Sequence, residues 1–176
     1  MVGLKCGSDL LLSGVFPNAK EITESFGAYS AVKKYLKTFS LNDPNITCVC
    51  VGDCNTPRTA ATFAYRSRWQ AISVDPRLKK CWIKANNKQA IQRIDVRPKR
   101  IEDVRVEADS VVLVAVHSHA DLRVAIKSIV AKRIAVVAMP CCVKQELDTK
   151  PDIEFRDTGI WSMHNLIKIW KDYENN

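Results

Sequence analysis

Four short runs along the chain are almost entirely apolar and rich in β-branched residues: Ile46 to Val51, Trp69 to Val74, Ser110 to Val116 and Ile134 to Met139. A strand with one wet face alternates apolar and polar side chains, so uninterrupted runs predict strands covered on both faces, as in a parallel sheet between helical layers. The spacers have a different period. Pro57 to Arg68 suits a helix with proline in its first turn, and Asp121 to Ala131 carries Leu122, Ala125, Ile126 and Ile129 on one helical face. Ahead of the first run, apolar residues from Ile22 through Phe26, Tyr29 and Val32 to Phe39 recur at steps of three and four, predicting an amphipathic helix from Ala19 to Phe39.

The margins are less regular. Ala90 to Val96 has room for one more strand, and Ile153 to Phe155 with Leu166 to Trp170 fits a closing antiparallel pair. Leu166, Ile169, Trp170 and Tyr173 also share a helical face, but the strand reading is preferred. The first eighteen residues set Gly3, Gly7, Gly14 and Pro17 around Leu10 to Leu12, which leaves an arm, a short strand and a lid all open. No repeat or linker divides the chain, and its 176 residues fit one domain of common size.

Composition narrows the partners. A net charge of +8 favours an acidic macromolecule, and for a soluble domain RNA or DNA is the commonest one. Seven cysteines is an odd number, and Cys48, Cys50, Cys54, Cys141 and Cys142 lie within or at the ends of the expected strands, where they read as small core residues. A reducing, intracellular setting, cytoplasmic or nuclear, is the expectation. With no leader at Met1 and no apolar run of about 18 residues, a membrane association is not expected.

Candidate chemistry gathers at strand ends. Gly52 follows the first run, where the backbone must turn sharply and a ligand can approach only past small side chains. Thr56 is placed to cap the following helix. Asp75, at the tip of the second run and about twenty residues beyond the glycine, suits the two hydroxyls of a ribose. Glu102 and Asp103 precede the third run, where an acid can accept from an adenine amino group. His117-Ser118-His119 and Pro140-Cys141-Cys142 follow neighbouring strands and converge on the same rim. A histidine there can serve as general base. Adjacent cysteines without a C-x-x-C spacing argue against zinc. Lys79, Lys80, Lys84, Lys88, Arg93, Arg97, Lys99 and Arg100, with Trp82 among them, form a basic segment suited to a phosphate backbone and a stacked base.

In this order the motifs resemble a class I S-adenosylmethionine-dependent methyltransferase. The residues that carry the resemblance are Val49 to Asp53, Ser73 to Pro76, Glu102-Asp103 and Ala115 to Asp121. His117, Asp121-Leu122 and Pro140-Cys141-Cys142 are similar to a subgroup of RNA methyltransferase-like proteins. Cys54 and Thr56 stand where that family has loop glycines, and Ser118-His119 replaces its Cys-Gly. The resemblance implies an α/β fold, a Rossmann-like three-layer sandwich with a mostly parallel sheet and helices on both faces. One domain would span 1–176, with an N-terminal arm and helix over 1–44 and the core over 45–176. It further implies S-adenosylmethionine held at Gly52, Asp53, Asp75, Asp103 and His117, with His117 and Cys141 as candidate catalytic residues. RNA would be the acceptor, and the short chain implies a partner subunit that helps recognise it. The alternative is a catalytically inactive module of the same fold that binds RNA or a protein.

Overall fold

The computed structural model describes residues 5–83 and 91–173. In chain order the elements are α1 (Gly7–Leu12), α2 (Ala19–Tyr35), β1 (Ile46–Val51), α3 (Arg58–Arg66), β2 (Gln70–Val74), β3 (Ile94–Arg97), β4 (Val106–Val116), α4 (Leu122–Lys127), β5 (Ile129–Met139), β6 (Ile153–Arg156) and β7 (Leu166–Trp170). The strands form a seven-stranded sheet in the order β3-β2-β1-β4-β5-β7-β6. β3, β2, β1, β4 and β5 are mutually parallel, and β7 runs antiparallel to both of its neighbours.

The all-apolar runs are explained by two cores, one on each side of the sheet. On β1, β4 and β5, Cys48, Cys50, Val112, Val114, Ala135 and Val137 face one of them. Val49, Val51, Leu113, Ala115, Val136 and Ala138 face the other. Burying each such Val or Leu contributes about 1.5–3 kcal/mol, so both faces hold the sheet in register. The first core is thick. Phe63 of α3 stacks on Trp69 at 5.7 Å and meets Tyr29 of α2 edge-on at 5.6 Å. The polar tips of these aromatics are satisfied, Tyr29 Oη donating to the Arg66 carbonyl at 3.0 Å and Trp69 Nε1 to that of Ser40 at 2.8 Å. The second core is thin, covered by six-residue α4, a 3-10 turn at Ile101–Asp103, Leu147 of the β5–β6 connection and Tyr173 after β7.

Several boundaries differ from the sequence expectation for identifiable reasons. β4 and β5 each begin four or five residues early because their first parts, 106–109 and 129–133, have no strand partner other than each other. There the pattern alternates buried and exposed residues, which a search for all-apolar runs passes over. The same extension shortens the helix expected over Asp121 to Ala131 to α4, since Ile129 already belongs to β5. α2 buries Tyr29 and Val32 as expected, together with Ser25, Ala28 and Ala31, and leaves Ile22 and Phe26 only half-buried, so its packed face mixes large apolar and small side chains. Gly27 belongs to that face: a Cβ there would lie 2.5 Å from Ile160 Cδ1. The strand expected at Ala90 to Val96 is β3, and Ala90 lies outside the described residues. The open N-terminal segment contains the short helix α1, whose Leu10 is fully buried in the first core.

Candidate functional site

The strand order reverses between β1 and β4: from β1 the chain passes over one face to β2, while β4 lies on β1's other side. Connections that leave adjacent strands toward opposite faces open a crevice beyond their C-terminal ends. A hollow of about 420 Å³ lies there, within the range of small-molecule sites. Gly52, Asp75, Arg77, Glu102, His117 and Ser118 are among the residues lining it, with Val124 of α4 at its edge.

Gly52 has a left-handed backbone, φ +84°, and its amide donates to the Val74 carbonyl at 3.0 Å. A Cβ at this position would fall 2.6–2.7 Å from the Cβ, Oγ and Cα of Ser118. Glycine is therefore required both for φ and for the close approach of the turns after β1 and β4. Asp75 is nearly buried and ties two loops together. Its Oδ2 accepts from the Cys54 amide at 2.9 Å and its Oδ1 from the Arg77 amide at 2.7 Å. Each carboxylate oxygen has a second lone pair, so the group retains accepting capacity toward the hollow.

Asp53 is placed differently. Its carboxylate accepts from the amides of Thr59 and Ala60 at 3.0 and 3.2 Å and from Ser73 Oγ at 2.8 Å. It satisfies the orphan donors of α3's first turn, favoured further by the helix dipole, and does not line the hollow. The cap expected of Thr56 is thus supplied by Asp53, while Thr56 Oγ1 donates to the Val15 carbonyl at 2.6 Å. Asp103 is exposed and also does not line the hollow, whereas its neighbour Glu102 does.

His117 sits where β4 ends, with φ +49°, a strained conformation for a residue with a Cβ. Its Nε2 is 2.8 Å from the His164 carbonyl and its Nδ1 is 3.3 Å from Glu24 Oε1. Lys20 Nζ reaches the same Glu24 oxygen at 3.4 Å, and neither contact has hydrogen-bond angles, so these are ion pairs around a buried carboxylate. Burial alone would lower the imidazole pKa, but Glu24, the His164 carbonyl and the nearby Cys141 outweigh it and raise the pKa above its ordinary value. Burial likewise opposes the Glu24 carboxylate, and His117 and Lys20 together hold its pKa below the ordinary value. With acceptors facing both ring nitrogens, the surroundings favour the protonated ring more than water does, and a free ring lone pair for proton abstraction arises only on deprotonation.

Cys141 lies behind His117, its Sγ 3.7 Å from the His117 carbonyl and 3.6 Å from Cys142 Sγ, and is not among the residues lining the hollow. The basic segment divides. Arg77, Lys99 and Arg100 line the hollow, and Lys79 and Lys80 are exposed on the same connection from β2. Arg93 turns away, donating to the carbonyls of Ala64, Ser67 and Trp69 at the end of α3. Trp82 is half-buried against the first core, and Lys84 and Lys88 lie outside the described residues. Glu24 and His164 were not foreseen as part of this rim. The sequence signal for Glu24 was its position beside Ser25 inside an apolar helical pattern, on the side that packs.

Comparison with known protein families finds no matching family model, and comparison with curated proteins finds no matching relative.

Proposed function

We propose that the chain is a Rossmann-like, S-adenosylmethionine-dependent methyltransferase domain that acts on RNA. The observation that carries the reading is the shared hollow: Gly52 and the Asp75 carboxylate border one cavity of about 420 Å³ at the reversal of the strand order. The order of the first five strands matches a doubly wound sheet, in which ligands bind at that place. The residues present fit an adenosyl group: of the residues lining the hollow, Asp75 offers acceptors to a ribose and Glu102 offers one to an amino group. When bound, the donor's sulfonium supplies an electrophilic methyl group. The protein's part is then to orient donor and acceptor and to exclude water, since alignment supplies most of the rate for such a transfer. His117 acts as a strut between α2 and the β6–β7 connection, through Glu24 on one side and the His164 carbonyl on the other. Arg77, Lys99 and Arg100 give the mouth cations for an RNA backbone, and Trp161, 69% exposed near α2, offers a face on which a base can stack.

One observation favours the inactive module as a second reading: Ser118 fills the space against Gly52, and both Asp75 oxygens already accept backbone amides. Calorimetric titration with S-adenosylhomocysteine separates the two. The methyltransferase reading expects saturable binding that Asp75→Asn weakens by about 1–3 kcal/mol, through loss of charge-assisted hydrogen bonds. Absence of binding to the folded protein at millimolar ligand, with RNA binding retained, selects the module.

A further inference from the structure

The turns after β4 and β5 bring three soft or borderline metal ligands together: a ring nitrogen of His119 and the Sγ atoms of Cys141 and Cys142 all lie within 4.8 Å of one another. Cys141 and Cys142 Sγ are 3.6 Å apart, and His119 Nε2 is 3.2 Å from Cys142 Sγ. In a tetrahedral zinc site, with Zn–S about 2.3 Å and Zn–N about 2.0 Å, the S···S edge is about 3.8 Å and the N···S edge about 3.5 Å. The observed separations thus approach the edges of a coordination tetrahedron before any ion draws the ligands in. Adjacency of the cysteines in sequence does not prevent this, because the turn after Pro140 sends both thiols toward the same point.

The loop that carries His119 is held from behind. Gln145 is fully buried, and its side-chain amide donates to the carbonyls of Ser118 at 2.7 Å and Ala120 at 3.2 Å, the residues on either side of His119. Fixing the backbone around a ligand is a familiar requirement of metal sites. Cys142 Sγ is within hydrogen-bond distance of both Cys141 Sγ and His119 Nε2, and binding of an ion releases the protons these thiols carry.

We propose that His119, Cys141 and Cys142 bind a single zinc ion with one coordination position open. Two thiolates balance the charge of the ion, and the set of two sulfurs and one imidazole suits zinc rather than magnesium or calcium. His119 also lines the hollow, so the ion sits on its rim with the fourth position available to water or to a polar atom of an entering molecule. The site does not depend on the methyltransferase reading.

The test is a titration of metal-stripped protein, kept reduced without thiols, first with Co²⁺ and then with Zn²⁺. Thiolate-to-cobalt charge-transfer absorption is expected to saturate at one ion per chain and to vanish as Zn²⁺ displaces it. It is lost in the double variant Cys141→Ser/Cys142→Ser and weakened in His119→Ala, and it persists in Cys81→Ser, which alters an exposed cysteine elsewhere. Cadmium NMR of the unsubstituted protein reads the ligand set without mutation, and a resonance in the range of two sulfur ligands is expected. Absence of the absorption with all thiols shown to be reduced, equal binding by the folded double variant, or a cadmium resonance without sulfur ligation overturns the proposal.

Discussion

At the end of β4, His117 and Glu24 are coupled across the gap between sheet and helix, and each shifts the titration of the other. The His117 pKa is raised above 6.5, so its contribution to stability is complete below that pH and is lost as pH rises through the folded value. The Glu24 pKa is lowered below 4.5, so its contribution is present above that pH and is lost as pH falls through the folded value. The two overlap between 4.5 and 6.5. Urea denaturation of wild type and Glu24→Gln across pH is therefore expected to show the largest difference inside that window, shrinking on both sides. A difference that stays constant from acid to alkaline pH would mean that the pair does not form. The identity of this residue pair was half visible in the sequence. His117 was marked by its place after a buried strand, but Glu24 lies 93 positions earlier on a helix whose expected face, borne out at Tyr29 and Val32, counted apolar residues and passed over the buried polar Glu24 and Ser25.

Among the elements, the connections from β2 to β3 and from β3 to β4 carry the basic residues, and the sheet separates them by strand end. Lys99 and Arg100 follow β3 and line the hollow, Arg97 at the end of β3 is held by Asp95 and the Arg105 carbonyl, and Arg93 precedes the strand and reaches carbonyls at the far end of α3. Their roles should separate accordingly. Arg93→Ala is expected to cost about 1–3 kcal/mol of stability, measured by urea denaturation, because a charge-assisted cap on three carbonyls is removed. It should leave RNA affinity unchanged. The pair Lys99→Ala/Arg100→Ala should leave stability nearly unchanged and reduce the salt dependence of single-stranded RNA binding by about 1.4, or about 0.7 per phosphate contact. Fluorescence anisotropy across salt concentrations reads that slope. An unchanged slope would remove these residues from the RNA path.

For the molecule as a whole, the sheet was largely legible because a strand buried on both faces cannot hide its composition: Cys48-Val49-Cys50-Val51 is apolar at every step since alternate residues enter different cores. The position of the hollow followed from the same pattern, because Gly52 and Asp75 end neighbouring parallel strands. What the sequence did not reveal was how polar side chains are shared out once the strands are side by side. Asp53 and Asp75 both follow strands, yet one is turned under α3 to hold its amides and the other toward the cavity, a choice made by the turn at Gly52 and by contacts 20 residues away at Ser73. Among the described residues no helix is long and apolar enough to cross a membrane. The central claim is that an adenosyl group occupies the hollow between Gly52, Asp75 and Ser118. Amide NMR during titration with S-adenosylhomocysteine tests it most directly: the signals of Gly52, Asp75, Glu102 and Ser118 are expected to shift together along one saturation curve. Shifts confined to other surfaces, or none at millimolar ligand, would contradict it.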